Sequence, residues 1–145
     1  MVQEEYDALR LENQLCFPLY ACAREVVKKY KPFLDDIDLT YTQYVTMMVL
    51  WEKPQVTSKE IGERLHLDSG TLTPVIKKLA EKGLVTRRRA PEDERNLAVS
   101  LTDAGLALRD KAACIPGQMG RCIRLDPEDA KALHRILYQL LGELN

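Results

Sequence analysis

Between residues 9 and 30 the apolar positions fall on two adjacent tracks of 3.6-residue period. Leu15, Leu19, Cys22 and Val26 follow one; Cys16, Tyr20, Ala23, Val27 and Tyr30 follow the other. The spacing predicts a helix whose apolar surface is wide enough to be buried on two sides. Pro18 interrupts the pattern, because proline has no amide to bond four residues back. Either the helix kinks there or its regular part begins near Pro18 as a first-turn residue. Lys31-Pro32 ends it. A connector through Asp35, Asp36 and Asp38 leads to a second helix over about 42–51, with Tyr44, Val45, Met48, Val49 and Trp51 as core candidates. Thr57-Ser-Lys-Glu60 is a capping box that opens a short helix carrying Ile61 and Leu65. After the turn Leu67-Asp-Ser-Gly70, Asp68 or Ser69 caps a further helix with Val75, Ile76 and Leu79 inward, closed by Gly83.

Two short helices around a tight turn form a helix-turn-helix pattern. The following segment adds a wing: a strand over Leu84–Arg89, a turn over 90–94, and a returning strand over Asn96–Leu101, with Arg95 beside Asp93 near the tip. Thr102-Asp103 caps a helix to about Ala113, and Ile115-Pro-Gly-Gln-Met-Gly120 interrupts the helical pattern. The last helix has Asp126 as cap and Pro127 in its first position, and it ends in Leu133, Ile136, Leu137, Leu140, Leu141 and Leu144, too many for one buried face. The pattern therefore predicts a mostly α chain with a small β-hairpin, a winged helix-turn-helix. One unit spans 1–145. Its DNA-binding lobe is 42–101, and 9–30 with 103–145 are dimerisation helices of an intertwined homodimer.

Composition narrows the classes. The chain is 145 residues long, 46% hydrophobic and 30% charged, with a mean hydropathy of -0.28. The longest apolar run, Met47–Trp51, is far short of the ~20 residues of a membrane span. Glu4, Glu5 and Asp7 precede any apolar stretch, unlike a secretory signal. Four cysteines (16, 22, 114, 122) without a CxxC pair read as reduced thiols in a cytoplasmic protein with no membrane partner. The two histidines, His66 and His134, have no ligand spacing to these cysteines, so no metal site is expected. No phosphate loop, GxGxxG, GxSxG or HExxH occurs, and neither a cofactor nor enzymatic turnover is expected.

The net charge of -1 hides a local excess. Lys77, Lys78, Lys82, Arg87, Arg88 and Arg89 face one acid, Glu81, within thirteen residues. Set on a helix-turn-helix and its wing, that cluster points to double-stranded DNA. Asp68, Ser69, Thr71 and Thr73 stand where base edges and phosphates are read, and Lys77 and Lys78 suit the phosphate backbone. Arg87, Arg88 and Arg89 line the wing. Arg95 suits a narrow minor groove, with Asp93 placed to orient it. A two-fold dimer implies a pseudo-palindromic operator.

Several stretches are more specific. The wing Asp93-Glu-Arg95 followed by Val99-Ser-Leu-Thr102 resembles that of the MarR family of dimeric winged-helix regulators, a likeness that runs along essentially the whole chain. Leu11-Glu-Asn-Gln-Leu-Cys16-Phe17, Leu39-Thr-Tyr41-Thr-Gln-Tyr44, Leu50-Trp-Glu52 and Leu67-Asp-Ser-Gly-Thr-Leu-Thr-Pro74 are similar to its OhrR branch, repressors that sense organic hydroperoxides. The resemblance implies that Cys16 is the reactive cysteine. It further implies that Tyr30 and Tyr41 hydrogen-bond its sulfur, and that Tyr20 approaches from the partner subunit. Phenol donors would favour the thiolate that attacks a peroxide. Branch members cap the oxidised sulfur with a low-molecular-weight thiol or resolve it with a second cysteine, for which Cys122 is the first candidate and Cys114 the second. Pro18 and Thr42 depart from the branch pattern. Three alternatives stand beside peroxide sensing: a MarR-type repressor released by a small aromatic or phenolic ligand, a thiol peroxidase using Cys16, and a purely structural interaction module.

Overall fold

The computed structural model describes residues 5–90 and 93–145, the side chains at 90 and 93–96 excepted. Met1–Ala113 and Cys114–Asn145 form two compact units.

The first unit opens with two 3-10 turns, Asp7–Leu9 and Leu11–Asn13, where a helix was expected. Side-chain amides replace the helical ladder here. Asn13 Nδ2 donates to the Asp7 carbonyl (2.9 Å), and Gln14 Nε2 donates to the carbonyls of Ala8 (2.7 Å) and Arg10 (2.9 Å). The helix proper, α1, is Cys16–Asp35 rather than 9–30. Pro18 falls in its first turn, whose amides have no intrahelical partner, so the helix begins there without a kink. Pro32 does not end it. One more turn follows because it delivers Leu34 to the core (2% exposed), and the Leu34 carbonyl then accepts from both Ile37 and Leu39 amides to close the corner. Asp38 takes up the left-handed conformation there (φ 53°).

Helix α2, Tyr41–Glu52, is held by a capping box absent from the sequence reading. The Thr40 hydroxyl accepts from the Gln43 amide, and Gln43 Oε1 accepts from the Thr40 amide (3.0 Å). Met47 and Leu50 take the centre of its buried stripe, which leaves Met48, expected inside, past the edge and 39% exposed. Strand β1, Gln55–Thr57, leads into α3, Ser58–Leu65. Thr57 caps α3 as expected, but the Glu60 carboxylate reaches Lys53 Nζ (3.2 Å) instead of closing a box. Asp68 is the cap of α4, Ser69–Glu81, and Gly83 (φ 76°) supplies the positive φ that closes it.

Strands β2 (Val85–Ala90) and β3 (Asp93–Leu101) make the hairpin, and β1 joins it to give an antiparallel sheet of order β1-β3-β2. Val56 and Arg87 both pair with Val99, on opposite sides of β3. Three residues of β1 are too few to show alternation, so this strand was not predicted. Ile61, Leu72, Ile76, Leu79, Val85 and Val99 are all buried behind the helix-turn-helix, which fixes the direction of α4. Helix α5, Asp103–Ala112, is capped by Thr102 alone. The Thr102 hydroxyl accepts from the Gly105 amide (3.1 Å) and donates to the Gly83 carbonyl (2.7 Å).

The second unit holds α6, Ile115–Cys122, and α7, Pro127–Leu144. Helix α6 occupies the stretch expected to be an interruption, because Pro116 lies in the first two positions, where a missing amide costs nothing. Asp126 stands at the α7 cap position without a side-chain bond to the helix. No α7 residue is buried in the protomer, and Leu133, Ile136, Tyr138 and Leu144 are open. Helix α1 buries only Leu34: Leu19, Tyr20 and Val27 are exposed, as is Leu15 just before it (85%).

Candidate functional site

Cys16 is the first residue of α1 and is exposed; none of the four cysteines is in a disulfide. Tyr20 follows one turn later on the same helix, with the Arg24 guanidinium 5.5 Å from its ring centre. Tyr30 lies fourteen residues beyond Cys16, about 21 Å of axial rise. The Tyr41 ring is 4.9 Å from that of Tyr30, so the two expected sulfur donors stand together at the far end of α1 from the thiol. Cys16 and Tyr20 are thus neighbours in each protomer, whereas Cys16 does not meet Tyr30 or Tyr41 of its own chain. Pro18 leaves Cys16 in register at the helix start.

The tyrosine pair belongs to a larger aromatic group. Tyr44 lies 5.9 Å from Tyr30 and 6.2 Å from Tyr41, and its ring meets Trp51 edge-on at 6.4 Å. Trp51 Nε1 donates to the Gly105 carbonyl (2.9 Å), tying α2 to α5. Burial pushes the phenols of Tyr30 and Tyr41 above their ordinary value, and for Tyr41 the neighbouring Tyr30 adds to it. Both are therefore neutral donors near pH 7. From the sequence Tyr44 and Trp51 are expected as core only; the signal for the group is Tyr44 three residues after Tyr41 and Trp51 seven after Tyr44.

In the second unit Cys114 stands at the α6 cap position, with its sulfur 3.8 Å from Gln118 Oε1, and Cys122 ends the same helix. Eight residues of helix separate them by about 12 Å, too far for a disulfide within the chain.

The face of α4 opposite Leu72, Ile76 and Leu79 carries Gly70, Pro74, Lys77 and Lys78, all exposed. Asp68 Oδ1 accepts from the Thr71 amide (2.7 Å). That bond, with the Thr71 hydroxyl and the Gly70 amide, holds its carboxyl below the ordinary range. Thr73 donates its hydroxyl to the Ser69 carbonyl (2.7 Å). Asp68, Thr71 and Thr73 are thus engaged in starting the helix, while Ser69, Lys77 and Lys78 are exposed beside them. In β2, alternation puts Arg87 and Arg89 on one face of the ribbon and Arg88 with Thr86 on the other. The backbone of Asp93 and Arg95 is part of β3, but their side chains lie outside the described residues. Lys82 leaves the basic cluster altogether: its ammonium donates to the Asp38 carbonyl and to Gln43 Oε1 (3.2 Å).

A helix-turn-helix with a flanking hairpin and exposed cations on its second helix defines a winged-helix DNA-recognition module. Residues 28–111 match the family "Transcriptional regulator SarA/Rot". The chain is 47% identical over 144 residues to the organic hydroperoxide resistance transcriptional regulator of Bacillus subtilis (strain 168), covering 99% of this chain and 98% of that one. Reduced AbfR bound to DNA superposes with a TM-score of 0.78 at 34% identity over 99% of both chains; AbfR is a protein of Staphylococcus epidermidis. Disulfide-formed AbfR superposes less well, with a TM-score of 0.63 at 33% identity over 99% of this chain and 98% of that one. This chain belongs to the MarR/SarA family of winged-helix transcriptional regulators. Among the described residues no helix is long and apolar enough to cross a membrane.

Proposed function

We propose that this chain is a cytoplasmic, homodimeric repressor that binds a pseudo-palindromic operator and releases it when an organic hydroperoxide oxidises Cys16. One observation carries the reading: 47% identity over 144 residues to a regulator of organic hydroperoxide resistance. The better fit to reduced, DNA-bound AbfR than to its disulfide form supports taking the described conformation as the DNA-competent one.

The sensor is assembled between two copies. Contrary to the expectation that Tyr20 approaches from the partner, the arrangement that fits α1 takes Cys16 and Tyr20 from one protomer and the phenol donors from the partner subunit's Tyr30 and Tyr41, since about 21 Å of helix separates Cys16 from the pair in its own chain. The bare apolar faces of α1 and α7 are the surfaces such a dimer would cover. The Cys16 thiolate attacks the terminal peroxide oxygen, the O–O bond breaks, sulfur is oxidised by two electrons to the sulfenate, and the alcohol departs with the proton. Cys122, Cys114 or a small thiol then condenses with it. Each subunit consumes one equivalent, unlike a peroxidase. Ser69, Lys77 and Lys78 on α4 and the arginines of the wing, Arg87, Arg88 and Arg89 from its two faces, contact the duplex, with Asp68, Thr71 and Thr73 shaping the start of α4.

The test is intact-mass spectrometry and non-reducing electrophoresis of wild type and Cys16→Ser after one equivalent of cumene hydroperoxide. A sulfenate, mixed disulfide or covalent dimer that requires Cys16 is expected. An unmodified Cys16, with DNA binding intact, would leave a ligand-released regulator instead.

A further inference from the structure

We infer that Lys82 is a positioning residue that links the tyrosine pair to the recognition helix, rather than a DNA contact of the basic cluster in which it sits. Its side chain is 30% exposed, and its ammonium is engaged by partners outside α4. It donates to the Asp38 carbonyl and to Gln43 Oε1, and it lies 3.5 Å from the exposed Asp38 carboxylate. Asp38 belongs to the corner joining the helix that bears Tyr30 to the helix that bears Tyr41, and Gln43 to the first turn of the latter. Asp38 holds the left-handed turn of that corner. Gln43 is almost wholly buried (4% exposed), and the same oxygen that receives Lys82 also receives the Thr40 amide in the capping box that starts α2 at Tyr41. Lys82 itself is the C-cap of α4. One side chain therefore joins the end of the recognition helix to both ends of the six-residue stretch, Asp38–Gln43, that carries Tyr41. A displacement of Tyr41 reaches α4 through this link, a contiguous element with a stated contact at each step.

The inference rests on the sensing reading, and the experiment separates the two. The probe is a duplex selected from a random pool by reduced wild-type protein. Its Kd is measured before and after one equivalent of cumene hydroperoxide, with oxidation of Cys16 followed by mass. Wild type is expected to lose affinity on oxidation by about 5–150-fold, the usual range of coupling between sites. Lys82→Met should bind within about threefold of wild type when reduced, keep the wild-type salt dependence, and oxidise normally, yet respond at least about fivefold less. Lys82→Arg, which retains the charge and the donors, should restore the response. A merely structural lysine would lower the melting temperature without changing the oxidised-to-reduced ratio. If Lys82→Met unfolds, Lys82→Gln, too short to reach the corner, replaces it.

An unchanged ratio in the folded variant overturns the inference. So does a log K–log salt slope reduced by about 0.9 per lost contact, which would make Lys82 a phosphate ligand. A wild type whose Cys16 stays unoxidised, or whose affinity ignores oxidation, overturns the sensing reading and this inference with it, before any Lys82 variant is compared.

Discussion

A dimer built from two different defective chains tests the divided sensor directly. One chain carries Cys16→Ser and intact tyrosines; the other keeps Cys16 but carries Tyr30→Phe and Tyr41→Phe. With two affinity tags the heterodimer is isolated, and it contains a single sensor thiol. Because Tyr30 stands about 21 Å along α1 from Cys16, the proposed divided sensor requires that thiol to meet the intact phenols of the Cys16→Ser chain and none from its own. A hydrogen bond to a charged group contributes about 1.5–3 kcal/mol, and each 1.36 kcal/mol is about tenfold in rate. The phenols are only half-buried, so the lower end applies, and losing both, about 3 kcal/mol, should slow oxidation on the order of 100-fold. The assay is the rate of sulfenate trapping at Cys16 under limiting cumene hydroperoxide, read by mass. The Tyr30→Phe/Tyr41→Phe homodimer is expected to be slow and the heterodimer's thiol to react at the wild-type rate. A heterodimer as slow as the double-Phe homodimer would refute the argument, because Cys16 would then depend on the tyrosines of its own chain.

Two further perturbations address the scaffold. At Gly105 an added Cβ would lie 2.2 Å from the Leu84 carbonyl oxygen and 2.7 Å from Leu101 Cδ1. Gly105→Ala must therefore strain the α5 cap and the Trp51 bond, for a loss of about 2–5 kcal/mol and a melting temperature lower by about 5–15 °C. Gly120→Ala, where a Cβ meets nothing within 4 Å, should gain about 0.8–1 kcal/mol of helix propensity, and equal melting temperatures for the two variants would refute both assignments. Asp68 gives a pH signature. Its folded carboxyl is held below the ordinary 3.8, so its contribution to stability is present above that value and disappears as pH falls through the lower folded one. Urea midpoints of wild type and Asp68→Asn should accordingly converge as acid is added below about pH 4, and a gap that is constant with pH would contradict the assignment.

The parts legible in the sequence were those set by local chemistry. Thr57, Asp68, Thr102 and Gly83 mark helix ends through backbone bonds within three residues, and they stand where the residues said they would. Prolines were harder. Pro32 and Pro116 both read as breakers, yet one is carried inside α1 by the burial of Leu34, and the other sits at a helix start that needs no amide. Strand β1 depends on pairing with Ala98–Ser100, more than forty residues away, and no short-range pattern announces it. At the candidate site the helix expected over 9–30 already separated Cys16 from Tyr30, but the packing of Tyr41 against Tyr30 across the corner appeared only in the structure. Lys82 counted as one more cation until its partners, 39 and 44 positions away, were known.

The aromatic chain from Tyr30 and Tyr41 through Tyr44 to Trp51 has an optical consequence. Trp51 is the only tryptophan, and ring separations of 4.9–6.4 Å are short enough for excitation absorbed by any of these three tyrosines to pass to the indole. Emission from one native fluorophore then carries the arrangement of the whole group. A peroxide-driven rearrangement of Tyr30 or Tyr41 would alter the tyrosine-sensitised part of that emission while direct excitation of the indole stayed nearly constant. The protein thus contains its own label, placed between the tyrosine pair and the helix that leads out of the winged domain.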